Sequence, residues 1–272
     1  MRTTWRALVA LGATAGLLIG AGLGIAGCKR RHEGITIGLY ASMTGSQAAF
    51  GFATRNGAGL AIDEINAAGG LLGQRIRFVV EDTRGDSNEA ASAVTRLIDR
   101  EGAIGVLGEI ASSLSLSGGR VAQRRHIPMI SPSSTNATVT QVGDYIFRVC
   151  FIDPFQGAVM ATYARQRGFT RVAIFKDQGS AYSTGLAEAF RVGFTRMGGQ
   201  VVDQQSYRSS DSHFSAQLGS ILGQHPDAIF VPGYYTEVAL IAREARGLGF
   251  RGIFMGGDGW DAPALYANDD DA

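Results

Sequence analysis

The chain has 272 residues, 45% of them hydrophobic and 18% charged, with 25 Lys and Arg against 24 Asp and Glu and a formal net charge of +1. That balance lacks the basic excess of a nucleic-acid or anionic-membrane partner, and the length accommodates two modest domains. Of the two cysteines, Cys28 belongs to the N-terminal segment and Cys150 stands alone, so no internal disulfide is available.

The chain opens with Arg2 and Arg6, then an uncharged apolar run of 19 residues, Ala7–Ile25, then Ala26, Gly27 and Cys28. A positive start, an apolar middle and a small-residue end make an export signal. The small pair before a cysteine resembles a bacterial lipoprotein signal. That resemblance implies a signal over residues 1–27, cleavage before Cys28, lipidation of its sulfur, and a membrane-anchored protein in the periplasm or at the cell surface. A transmembrane anchor is the rival reading, because a span needs roughly 20 apolar residues. The signal takes two basic residues and no acidic one, so the remainder is close to neutral. Gly22-x-Gly24-x-x-Gly27 matches a dinucleotide fingerprint only formally: it follows no strand and opens no helix.

A tether over residues 28–34 leads into alternating strands and helices. The pattern predicts a strand at Ile35–Leu39, a helix at Thr54–Asn66 stopped by Gly69-Gly70, and a strand at Arg75–Glu81. A helix at Asn88–Arg100 carries Ala91, Val94, Leu97 and Ile98 on one face. Ala103–Leu107 is a strand, Ser113–Arg125 a helix weakened by Gly118-Gly119, and Ile127–Ile130 a strand whose Pro128 marks an edge or a strand start. Ser131–Phe155 is rich in Ser, Thr, Asn and Pro and holds a strand at Tyr145–Val149, with Cys150 read as a small buried residue at its end. The alternation then restarts: helix Gln156–Arg167, strand Arg171–Phe175, helix Ser183–Met197, strand Val201–Tyr207, helix Phe214–Leu222, strand Ala228–Val231, helix Thr236–Leu248 and strand Gly252–Met255. Such alternation predicts an α/β fold of two doubly wound parallel-sheet lobes with a cleft between them. The first lobe covers residues 35–149 and the second 150–272.

Open α/β sheets bind ligands beyond the carboxyl ends of their strands, which directs attention to the residues there. Ser112 and Ser113 follow the third strand, and Ser133, Ser134 and Thr135 follow the fourth. Hydroxyls beside a helix start grip a carboxylate. In the second lobe, Tyr182, Tyr234 and Asp258 follow strands, and Asp258 can hold an ammonium that a tyrosine flanks. Together they suit a zwitterion, carboxylate to the first lobe and ammonium to the second. Each residue also has an ordinary alternative: Ser112 or Ser113 as a helix cap, Asp258-Gly259 as a turn, the tyrosines as surface lining.

Several segments resemble the periplasmic branched-chain amino-acid (Leu/Ile/Val) binding proteins of ABC importers, which have the type I periplasmic-binding fold. They are Ile37–Gly45, Ala61–Gly70, Gly73–Ile76, Glu81-Asp82-Thr83, Ile130–Thr135 and Phe254–Gly259, and the run Asn66–Gly73 (Asn-Ala-Ala-Gly-Gly-Leu-Leu-Gly) is the most specific. The resemblance implies that Ser112, with Ser113 beside it, takes the ligand carboxylate, with Ser133 and Thr135 adding to the grip. It implies that Phe50 flanks the ligand side chain, that Tyr182 and Tyr234 line the second lobe, and that Asp258 binds the α-ammonium. Asp258 stands where many members have glutamate, one methylene longer, and Phe50 stands where a hydroxylated aromatic is found. Family members also continue well past Leu265, so the resemblance implies C-terminal incompleteness: a first lobe lacking its return segment and a second lacking its last strands.

The implied protein is a solute-binding lipoprotein of an ABC importer. Its ligand is an amino acid, branched-chain or otherwise apolar, and its partners are a permease in the inner membrane and, through the lipid, the membrane itself. A sensor for an amide or small carboxylate, or an inactive remnant, are the alternatives. No Gly-x-Ser-x-Gly, phosphate loop or His-Glu-x-x-His occurs. His32, His126, His213 and His225 are scattered without metal-ligand neighbours. No enzyme activity, cofactor or metal is expected.

Overall fold

The computed structural model describes residues 34–265. The export signal, the lipidation candidate Cys28 and the rival membrane anchor fall outside them. Among the described residues no helix is long and apolar enough to cross a membrane.

The first lobe is a five-stranded sheet in the order β2-β1-β3-β4-β5, built from β1 (Ile35–Ala41), β2 (Ile76–Asp82), β3 (Gly105–Leu107), β4 (Met129–Ser131) and β5 (Ile146–Arg148). The second is a four-stranded sheet in the order β7-β6-β8-β9, built from β6 (Arg171–Asp177), β7 (Gln200–Tyr207), β8 (Ala228–Phe230) and β9 (Ile253–Met255). Every pairing is parallel, and the crossovers are the helices α1 (Ala48–Ala67), α2 (Ser87–Asp99), α3 (Ser112–Arg125), α4 (Asp153–Gln166), α5 (Ala181–Arg196), α6 (Ser215–Gly223) and α7 (Tyr235–Gly247), with β4 joined to β5 by a 3-10 segment, Ala137–Val142. In each lobe the strand order reverses beside the first strand, between β1 and β3 and between β6 and β8. Those reversals open the crevices where such sheets receive ligands.

Local chemistry explains where the elements begin. Asp86 caps α2, its side chain accepting the Asn88 and Glu89 amides, and Ser180 caps α5 through the Ser183 amide. The helix α1 begins at Ala48 rather than Thr54, because Ala48–Ala53 is apolar without periodic contrast and Gln47 makes no side-chain cap. Pro128 precedes β4, which lies inside the sheet between β3 and β5 and not at an edge. Its missing N–H therefore falls outside the ladder. Likewise α3 runs unbroken through Gly118-Gly119. A Cβ on Gly118 would lie 2.5 Å from the fully buried Tyr40 ring, so the glycine lets this helix sit close on its sheet.

The second lobe buries apolar side chains on both faces of its sheet. Phe190, Phe194, Phe230 and Ile174 pack under α4 and α5, and Phe175, Tyr207, Phe214 and Ile229 pack under α6 and α7. The first lobe is thick on one face, where Val94, Leu97, Leu114, Val106 and Met129 meet α2 and α3. Its other face carries α1 over β1 and β2, while the paired Ile130 and Phe147 remain exposed. Cys150 is half-buried on the segment joining β5 to α4, less enclosed than its apolar context predicts. His126 and His225 are exposed, at a helix end and in a turn.

Candidate functional site

The two switch points face each other. The backbone of Ala181, the first residue of α5, is held at both groups by the first lobe: its N–H donates to Ser113 Oγ (2.9 Å) and its carbonyl accepts from Asn136 Nδ2 (2.7 Å). Thr236 Oγ1 donates to the Ser46 carbonyl at 2.8 Å. Phe50, on α1, makes edge contacts with Tyr234 (ring centroids 6.3 Å apart) and Tyr235 (5.2 Å), and Tyr234 lies 5.2 Å from Tyr182. Phe50, Tyr182 and Tyr234 thus form one aromatic wall spanning the cleft. Tyr182 OH accepts the Gly259 amide, which ties the loop after β9 to that wall.

The first-lobe side is organised by Glu109, at the end of β3. Its fully buried carboxylate accepts from Ser42 Oγ (2.8 Å), Thr83 Oγ1 (2.8 Å), Ile110 N (2.5 Å) and Ala111 N (2.8 Å). Burial raises its pKa, and those donors oppose the rise. The Glu109 carbonyl in turn accepts the Ser115, Ser131 and Ser134 hydroxyls. This network fixes the start of α3. Because Glu109 already satisfies the amides of residues 110 and 111, the next two, on Ser112 and Ser113, are the ones without a partner among the described residues.

The hydroxyls after β3 and β4 divide in their roles. Ser112 Oγ accepts the Asn136 amide at 3.2 Å, and Ser113 Oγ is the interlobe acceptor already described. Neither caps α3, whose N-cap is Ala111. Ser134 is fully buried and bonds Ser115 Oγ and the carbonyls of Glu109 and Ile110, so its hydroxyl belongs to the Glu109 network and not to the cleft. Ser133 is half-buried. Thr135 Oγ1 is buried with no partner.

Asp258 opens a short 3-10 turn, Asp258–Trp260, directly after β9. Its Oδ1 is buried with no partner, and burial raises its pKa against the pull of Tyr182 and Gln156. Two further groups there were not singled out from the sequence. Asp153, the first residue of α4, is 1% exposed, and neither of its oxygens has a partner. Gln156 Oε1 is likewise buried and unpartnered. The only sequence signal for Asp153 was its place in an Asp-Pro helix start. Among the described residues no group of three or more His, Cys, Asp or Glu could hold a metal ion.

A family model described as periplasmic binding protein matches residues 34–272. The chain is 33% identical to the Leu/Ile/Val-binding protein BraC3 of Rhizobium johnstonii over 243 residues, covering 89% of this chain and 66% of that protein. Its fold is similar to a leucine binding protein, LivK, from Thermotoga maritima (TM-score 0.81, 44% identity, 85% of this chain and 65% of that one). It is also similar to the branched-chain amino acid transporter substrate binding protein LivJ of Streptococcus pneumoniae in complex with isoleucine (TM-score 0.80, 36% identity, 86% and 66%). The chain therefore spans just under two thirds of the length of these relatives.

Proposed function

The chain belongs to the periplasmic binding-protein family, and from that premise, with relatives named for leucine, isoleucine and valine, we propose that it captures an α-amino acid with an apolar side chain between its two lobes. One observation carries this reading. Unpartnered amides at Ser112 and Ser113 stand on one side of the cleft, and an unpartnered Asp258 oxygen stands on the other. Amides at a helix start receive a carboxylate, and a buried carboxylate with a free oxygen needs a cationic donor. The aromatic wall of Phe50, Tyr182 and Tyr234 borders the space left for the side chain.

In this proposal Ser112, Ser133 and Thr135 complete the carboxylate end. Ser113 closes the lobes on each other, and Ser134 supports the loop from behind. The lobes are residues 35–149 and 150–272. The protein serves an ABC importer, is anchored outside the cytoplasm through Cys28, and presents its closed form to a permease in the membrane. Hinge closure around a ligand couples binding to such a partner. Like its relatives, which are named as binding proteins, it is not an enzyme.

Thermal melts against a panel of amino acids, amides and small carboxylates test the reading. A ligand at about a thousand times its dissociation constant adds roughly 4 kcal/mol, and apolar amino acids are expected to give the upward shift. Asp258→Ala is expected to weaken that binding about tenfold or more, the loss of one charge-assisted contact. Unchanged affinity would show that the ammonium is held elsewhere.

A further inference from the structure

Asp153 has no role in the folded chain that accounts for its burial. It starts α4, yet the N-cap there is Ile152 and no side chain caps the helix. Its own N–H donates to the Thr135 carbonyl at 2.9 Å, which sets the residue against the cleft loop. Both carboxyl oxygens are buried and none of the hydrogen bonds in the structure reaches them, although the Thr135 hydroxyl, itself without a partner, is a neighbouring donor. The one cation nearby, Arg148, directs its guanidinium to the carbonyls of Ser134, Asn136 and Ala137 and to Thr140 Oγ1. The other titratable neighbours are Asp258, whose field reaches Asp153, Cys150, and Tyr234, whose hydroxyl feels the charge of Asp153. From the second lobe, α5 presents Gly185, where a Cβ would lie 2.8 Å from Asp153 Oδ2.

Thr135 Oγ1, Asp153 Oδ1 and Oδ2, Gln156 Oε1 and Asp258 Oδ1 are thus all buried and unpartnered. All but the threonine are pure acceptors. An isolated buried acceptor costs about 1–3 kcal/mol and a buried charge more. A donor-rich cation, or an added proton, satisfies more of these acceptors than the one threonine hydroxyl can. We propose that Asp153 is a second ammonium-binding carboxylate, sharing the amine end of the ligand with Asp258 and selecting amine-bearing ligands over carboxylates that lack an amine. This deepens the amino-acid reading above and rests on it.

A consequence separates this role from a structural one. Burial pushes the Asp153 carboxyl up to about 7, with Asp258 adding to the rise and the Thr135 hydroxyl and Arg148 opposing it. The empty cleft therefore holds a proton there near neutral pH, and an arriving ammonium displaces it. Affinity for an amine-bearing ligand falls as pH drops below about 7, approaching tenfold per unit, and binding releases a proton.

The test is calorimetric titration of the full chain with an apolar α-amino acid and with the same molecule lacking its amine. It runs from pH 5.5 to 8.5, on wild type and Asp153→Asn. The expected result is a loss of about tenfold in amino-acid affinity and of the pH slope in Asp153→Asn, with the amine-free ligand unaffected. Wild-type affinity and slope in the variant overturn the proposal. So does wild-type binding at pH 7 that exchanges no proton between buffers of different ionisation heat, a readout that needs no variant to fold. A wild type that binds no amino acid overturns the amino-acid reading and takes this proposal with it, so the two failures are distinguishable.

Discussion

Asp153 and Glu237 are buried carboxyls, each pushed up to about 7, chiefly by desolvation. Both bind a proton more tightly in the folded chain than in the unfolded one, where carboxyls titrate near 4. Their contribution to stability is therefore complete below about 4 and is lost as pH rises through about 7. Ligand-free chain is expected to melt at a higher temperature at pH 5.5 than at pH 8. The slope is up to about 1.4 kcal/mol per pH unit per group, and thermal melts of wild type and of Asp153→Asn with Glu237→Gln measure it; a double variant as steep as wild type refutes the assignment. Glu109 shows the opposite solution, a buried carboxylate given four donors. Neither Glu109 nor Asp153 was legible as a candidate. Two of the Glu109 donors lie on Ser42 and Thr83, far away in sequence, and what marks Asp153 is the absence of a partner, which sequence does not display. Asp258, Tyr182 and Tyr234 were legible as candidates because each lies in the segment that follows a strand, and so was Ser134. The inward aim of its hydroxyl was not, because that depends on where the Glu109 carbonyl points.

At the scale of elements, α5 is the piece on which the first lobe rests. Its Ala181 backbone is gripped by Ser113 and Asn136, and a Cβ on Gly185, one turn further, would lie 2.5 Å from Asn136 Nδ2 as well as close to Asp153. Gly185→Ala puts a methyl group into that seat. The lobes are expected to be wedged apart, with amino-acid affinity falling about tenfold, roughly 1.4 kcal/mol of closure. The ligand-free melting temperature should stay within a few degrees, because Ala is the better helix former and offsets part of any strain. Titration and melts of the same preparation decide it; unchanged affinity removes Gly185 from the closure contact. The order and type of the elements were readable from alternating periods of two and 3.6 residues. Their starts were not, where a helix opens without a cap, as at Ala48, or on an Asp-Pro pair, as at Asp153. Pro128 left edge and strand start both open, and only the neighbouring strands could choose between them.

On the scale of the whole molecule, two sheets with equivalent strand order bring their reversal points together, and the cleft follows from that topology rather than from any single motif. Parallel pairing was legible because strands alternate with helices, except at the Ser131–Phe155 segment, where only a 3-10 turn joins β4 to β5. The facing of the lobes was not, since it rests on Ala181, Phe50 and Thr236, which have no short-range signal. The segment between β5 and α4 carries Cys150, the one free thiol among the described residues. Its half-burial on that crossing makes it a built-in reporter of lobe motion. Burial raises the thiol pKa, so little of the reactive thiolate is present while the crossing stays packed. With Cys28 changed to serine, a thiol-reactive dye is expected to label Cys150 slowly when ligand is saturating and several times faster without it. The labelling rate then becomes a clock for how often the empty cleft opens, and a rate indifferent to ligand would mean that this crossing stays still while the lobes move.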